Sequence, residues 1–156
     1  MRKILRGPRS KEPERCPLLV FHIGGQPLAA RVDEVGGVWP WEPAITVPSE
    51  TPLVTGLLRR GDQVVAVFDL AARLNRQVMG SRKLCLLAKH RAGPLAICID
   101  EQIPTLQSVE PGLIAPPAGD EPDVIGTYQI EGLSVPIYSF ATLVLTSRGH
   151  SGGSSQ

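Results

Sequence analysis

From Pro17 onward the chain alternates short apolar runs with glycine, proline and charged residues, and each run is strand-sized. In Leu18–Val32, "LLVFHIGGQPLAARV", two apolar segments flank Gly24-Gly25. That spacing predicts a hairpin with Phe21 opposite Leu28 and Leu19 opposite Ala30. Glu34–Pro48 continues in short extended pieces, with a bulge or bend at Gly36-Gly37 and prolines that forbid a helix. Gln63–Leu70, "QVVAVFDL", reads as a buried strand, and "LAARLN" supplies one or two helical turns. Lys83–Asp100 is the clearest hairpin. A turn centred on Arg91-Ala92 sets Leu84 opposite Ile99, Leu86 opposite Ile97 and Ala88 opposite Leu95. The other face then pairs Cys85 with Cys98 and Lys83 with Asp100. Further strands are predicted at Ile103–Val109, Val124–Glu131 and Leu133–Tyr138. Glu110–Asp123 reads as a loop, and Ser139–Leu145 as a short closing helix. About ten short strands with hairpin spacing predict an all-β protein built of barrels. Each half is too small to bury much core alone, so the halves are expected to pack together.

Composition narrows this picture. The 156 residues (16.7 kDa) suit one domain or two small lobes sharing a core. No apolar run approaches the ~20 residues of a membrane helix, so a soluble protein without direct membrane insertion is expected. Aromatic residues are only 4% of the chain, which leaves little surface for stacking bases or planar cofactors. Residues 1–15 hold six basic and two acidic side chains, a local charge of +4 that leaves the remainder at −3. With no aromatic residue and no apolar face, this stretch reads as a flexible basic arm over residues 1–16, not as a nucleic-acid-binding element. It lacks the apolar core of a signal peptide, so a cytoplasmic protein is expected. The tail "SRGHSGGSSQ", residues 147–156, reads as a flexible end. Cys16, Cys85 and Cys98 form no C-x-x-C pair, and in a reducing compartment Cys85 and Cys98 are expected as packed free thiols.

Catalytic or metal chemistry finds no foothold in these motifs. His22, His90 and His150 are scattered without zinc-ligand spacing, and no nucleophile elbow, phosphate loop or dinucleotide fingerprint occurs. No cofactor is implied. The acidic groups at Asp33-Glu34, Asp100-Glu101 and Asp120-Glu121-Asp123 read as solvated strand ends and loops. One stretch, "VTGLLRRGDQVVAVFDL", asks for more. Gly61 beside Asp62 is explained by a turn needing positive φ. Arg60, at the edge of so apolar a neighbourhood, is expected to have a carboxylate partner, and Glu34 is the candidate.

The ordered series "RVDEV", "ITVP", "VTGLLRRG", "VVAVFDL", "LAICIDEQI" and "VIGTYQIEGLSVPIY" resembles the CheW family of bacterial chemotaxis adaptors, over roughly Pro17 to Leu145. The resemblance implies two packed SH3-like five-stranded β-barrel lobes with one or two short helices. It places a CheW-like domain at 17–146, divided near 77–82. It also implies two partners, a CheA-type histidine kinase and the cytoplasmic tip of methyl-accepting chemoreceptors, bound without catalysis. Carried over by position, Val32, Glu34, Val54, Gly56, Arg60 and Gly61 become the expected partner-binding set, and Asp69 and Asp100 structural residues. Gly56 to Gly61 is one residue shorter than the family pattern, with Arg59 at its asparagine position, and Ala66 stands where proline is common. A paralogue serving pilus motility or another chemosensory system fits as well, and an unrelated ligand-binding β-barrel is the alternative from another class.

Overall fold

The structure, a computed structural model, describes residues 15–48, 51, 53–117 and 119–145. The expected basic arm up to residue 14 and the tail from Ser147 lie outside the described residues. The strands are β1 (Cys16–Ile23), β2 (Gln26–Arg31), β3 (Val35–Pro40), β4 (Ile45–Thr46), β5 (Val54–Arg60), β6 (Gln63–Phe68), β7 (Leu84–His90), β8 (Gly93–Ile99), β9 (Thr105–Val109), β10 (Val124–Ile130) and β11 (Leu133–Tyr138). One helical turn, α1 (Leu70–Arg73), follows β6, and 3-10 turns occupy Val32–Glu34 and Pro111–Leu113.

Two curled sheets form. The first has the order β10-β11-β2-β1-β9, and the second β3-β7-β8-β6-β5-β4. The two-residue β4 is a sixth strand beside the five expected for that lobe. Both predicted hairpins have the predicted registers, Phe21 with Leu28 and Leu19 with Ala30, then Leu84 with Ile99 and Cys85 with Cys98. The bend at Gly36-Gly37 is a register shift between Val35 and Gly37. Lys83 and Asp100 fall just past the ladder and do not pair in it.

The nearly unbroken apolar runs are explained by strands buried on both faces. Phe21, Ile23, Leu28 and Ala30 of the first sheet meet Phe68, Leu86, Ala88, Leu95, Ile97 and Ile99 of the second in a central core between the sheets. The alternate residues fill each sheet's own interior, Leu18, Val20, Ala29, Val135 and Ile137 in one and Leu58, Val65, Val67, Cys85 and Ala96 in the other.

The segment at 77–82 does not separate the two sheets. It links α1 to β7 inside the second sheet's series, and each sheet draws on both sides of it. The halves on either side of it repeat one pattern: a hairpin, a strand, a second hairpin, then a turn of helix or loop. Val54, Gly56, Val65 and Leu70 correspond position by position to Val124, Gly126, Val135 and Phe140. The leading hairpins are exchanged. β2 runs parallel to β11 of the other half, and β8 parallel to β6. Burying both hairpin faces requires strands from both halves, so the halves are interlocked. Ser139–Leu145 is not the expected helix but an irregular strap with a turn at Ala141-Thr142. Its backbone is held by side chains from elsewhere, while Phe140 and Leu143 are buried in the central core.

Candidate functional site

Arg60 ends β5, and its side chain lies on the same side of the strand as Leu58, toward the second sheet's interior. The curl brings this end of β5 to the opposite edge strand, β3, where the guanidinium carbon sits 3.7 Å above the centroid of the Trp39 ring. Trp39 in turn pairs with Cys85. Gly37 makes room for this ring, since a Cβ there would lie 2.5 Å from it. The expected Glu34–Arg60 ion pair is therefore replaced by a cation–π stack, and no such pair exists among the described residues. The reason is topological. β3 carries Trp39 to the open edge beside β5, whereas Glu34 sits in the 3-10 turn before β3 and faces the C-terminal strap.

Glu34 Oε1 accepts hydrogen bonds from the amides of Phe140 (2.7 Å) and Ala141 (3.4 Å). Asp100 makes the reciprocal clamp from the other half. Its Oδ1 accepts from Gly24 N and Met79 N, both at 2.8 Å, and its Oδ2 from Gly25 N at 2.7 Å. Each carboxylate follows the second strand of a leading hairpin and holds backbone of the opposite half. Asp69 caps α1, accepting from Ala72 N at 3.0 Å.

A third link between the halves escaped the sequence reading. Arg73 of α1 approaches Asp123 with Nη2 to Oδ2 at 3.0 Å, an ionic contact too bent for a hydrogen bond, with both side chains buried. Arg73 Nη1 donates to Val144 O (2.8 Å) and Asp123 Oδ1 accepts from Val144 N (3.0 Å). Asp100 and Asp123 are thus buried and paired, not the solvated ends the sequence suggested. Burial beside Glu121 and Asp123 pushes the Tyr138 hydroxyl up to about 12. Burial also raises the Cys85 and Cys98 thiols to about 11, and both are free. His90 is buried with both ring nitrogens engaged, Nδ1 accepting from Ala92 N and Nε2 donating to Leu143 O.

The expected partner set spreads over three places. Val32 and Glu34 occupy the 3-10 turn that carries the chain from the first sheet to the second. Val54 and Gly56 lie in β5, where Gly56 is required because a Cβ would meet Ile45 O at 2.6 Å. Arg60 and Gly61 lie at the β5–β6 turn, with Gly61 at φ +58° and open space around it. On the face of β5 opposite to Arg60 runs an apolar row not singled out in the sequence. Ile45, Leu57 and Ala66 are cross-strand neighbours on β4, β5 and β6, and Val64 shares their face. This row continues the central-core side of the sheet into solvent, leaving Ile45 69% and Val64 63% exposed.

A family model described as CheW-like domain matches residues 17–147. The chain belongs to that family. Among solved structures, the scaffolding protein TtCheW from Thermoanaerobacter tengcongensis is similar in fold, with a TM-score of 0.73 at 14% identity over 84% of this chain and 88% of that one. The search of curated proteins gives no match. Among the described residues, no helix is long and apolar enough to cross a membrane.

Proposed function

We propose that this CheW-like chain is a non-catalytic adaptor that couples methyl-accepting chemoreceptors to a CheA-type histidine kinase. The observation that carries the reading is the exposed row Ile45–Leu57–Val64, on the face of β5 opposite to Gly56 and Arg60 of the expected partner set. Two large aliphatic side chains, each more than half exposed at an edge of the second sheet, form the kind of surface that a partner covers. Arg59 crosses the row opposite Val64 and supplies a cation at its rim. A face of this size suits a transient contact of roughly 1,200 Å² or less. Val32 and Glu34 of the expected set lie apart from this row, on the connection between the sheets.

The buried ionisable groups support a binding role over a catalytic one. Asp100 is occupied by three amides, Asp123 by Arg73 and Val144, and His90 by two backbone groups. Thiols held near 11 are poor nucleophiles at neutral pH. The test is binding of Ile45→Glu and Val64→Glu to a purified CheA-type kinase and to a receptor cytoplasmic fragment, with circular dichroism as the folding control. Loss of either complex with folding intact is expected. Unchanged binding to both would remove this face from the interface.

A further inference from the structure

Pro94 fixes the hydrogen-bond phase of the β7–β8 ladder. It stands opposite Lys89 and has no N–H, so these two cannot exchange the bonds of a hydrogen-bonded pair. The two kinds of pair alternate along an antiparallel ladder, which makes Leu87–Ala96 and Cys85–Cys98 non-hydrogen-bonded pairs as well. Such pairs bring their Cα atoms to about 4.5 Å and set their side chains closest together. A disulfide takes Cα atoms about 4.4–6.8 Å apart, so Cys85 and Cys98 stand within bonding range with the backbone where it is.

Both thiols lie on the interior face of the second sheet. Cys85 is buried in the cluster of Leu58, Val65, Val67 and Ala96, and Cys98 is half-buried near the end of β8. The internal repeat shows that this register does not itself call for two small residues. In the leading hairpin of the other half Pro27 stands opposite His22 as Pro94 does Lys89, and the pair matching Cys85–Cys98 is Leu18–Arg31. On its other side Cys85 pairs with Trp39, and Arg60, stacked on that ring, is close enough to act on the Cys85 thiol.

We propose that Cys85 and Cys98 form a reversible dithiol–disulfide couple beside Trp39 and Arg60, closed by a low-molecular-weight disulfide such as oxidised glutathione. Cys98, the more exposed, loses its proton and attacks one sulfur of the oxidant, giving a mixed disulfide and one released thiolate. Cys85 then loses its proton and attacks Cys98 Sγ, which expels the second thiolate. The two released thiolates take up the two protons. The cysteine pair has then given up two electrons and two protons, and the oxidant has become two thiols. Burial raises both thiols to about 11, so few are ionised at neutral pH and the bond closes slowly. The same burial favours the product, which carries no charge. The couple is therefore a slow latch set by a sustained oxidising shift. Cys16 supplies an internal control, since it faces Val109 and no other cysteine.

The experiment incubates the full chain in glutathione buffers of rising oxidised fraction, then quenches with acid, alkylates and maps the peptides by mass spectrometry. A linked Cys85–Cys98 peptide lacking two hydrogens is expected, formed in the folded chain, saturable and reversed by dithiothreitol, with Cys16 outside it. Closure should quicken about ten-fold per pH unit between about pH 7 and 9, following the thiolate fraction. The NMR signal of the Trp39 indole should move with closure and return on reduction. Cys85→Ala should stop at a glutathione adduct on Cys98, and Cys98→Ala should leave residue 85 unmodified. The proposal is overturned if the thiols of the parent stay free at high oxidised fraction, or if a Cys98 adduct persists there unresolved. A linked peptide that forms only in urea, or a Trp39 signal that does not move, overturns it equally. It is independent of the adaptor reading, because no kinase or receptor enters the measurement.

Discussion

Replacing Arg73 by Met tests how the two halves are locked together. The substitution keeps most of the aliphatic stem and removes the guanidinium from a site where its side chain is 7% and that of Asp123 0% exposed. Asp123 would keep the Val144 amide through Oδ1 and lose the charge facing Oδ2, while Val144 O would lose its donor. An uncompensated buried carboxylate costs about 3–5 kcal/mol. That is a large part of the ~5–15 kcal/mol by which a domain is stable. At about 2–4 °C per kcal/mol for a chain of this size, the melting point should fall by about 6–20 °C. The double variant Arg73→Met with Asp123→Leu removes both charges and should recover much of the loss, because a buried pair is often close to neutral against apolar replacements. Urea denaturation of the parent, both single variants and the double closes the cycle, with unchanged m values as the two-state check. A cost for Arg73→Met below about 1 kcal/mol, the range of a surface pair, would refute the assignment of this contact as a buried lock.

Further outcomes follow from the same geometry. Asp100→Ala leaves three amides without their charged acceptor and should cost at least about 3 kcal/mol, with faster hydrogen exchange at Gly24, Gly25 and Met79. A double-mutant cycle on Glu34 and Arg60 should give coupling within about 0.5 kcal/mol of zero, since they do not touch, whereas Arg60→Met with Trp39→Leu should couple by about 0.5–2 kcal/mol. Tyr138 is raised from 10 to about 12, so the folded state resists losing its proton. Its contribution is intact below pH 10 and is lost as pH rises toward about 12. Tyr138→Phe should flatten the decline in denaturation midpoint across that window.

Local pairing was legible because it rests on neighbours in the sequence. Gly24-Gly25 and Arg91-Ala92 fix hairpins in which one register alone sets apolar residues opposite each other on both faces. The exchange of the leading hairpins was not legible. Both halves carry the same apolar pattern, and periodicity does not say which copy of β6 or β11 a hairpin joins. For Arg60 the sequence pointed to a carboxylate, but the sheet curl presents an indole first. Glu34 and Asp100 were visible as residues, while their partners are backbone amides, which leave no mark in the sequence. Arg73 and Asp123 looked like ordinary helix and loop residues, and their meeting depends on tertiary packing. The row of Ile45 and Val64 was hidden because an exposed aliphatic residue in a strand reads the same as a buried one.

The central claim, an adaptor that holds two partners together, is tested most directly by co-sedimentation. A receptor cytoplasmic fragment and a CheA-type kinase are spun with and without this chain under conditions where the two bind each other weakly. The account predicts that the chain carries kinase into the receptor pellet in a saturable way, and that Val64→Glu abolishes the recruitment while remaining folded. A chain that binds neither protein, or that leaves the amount of pelleted kinase unchanged at saturation, would contradict it.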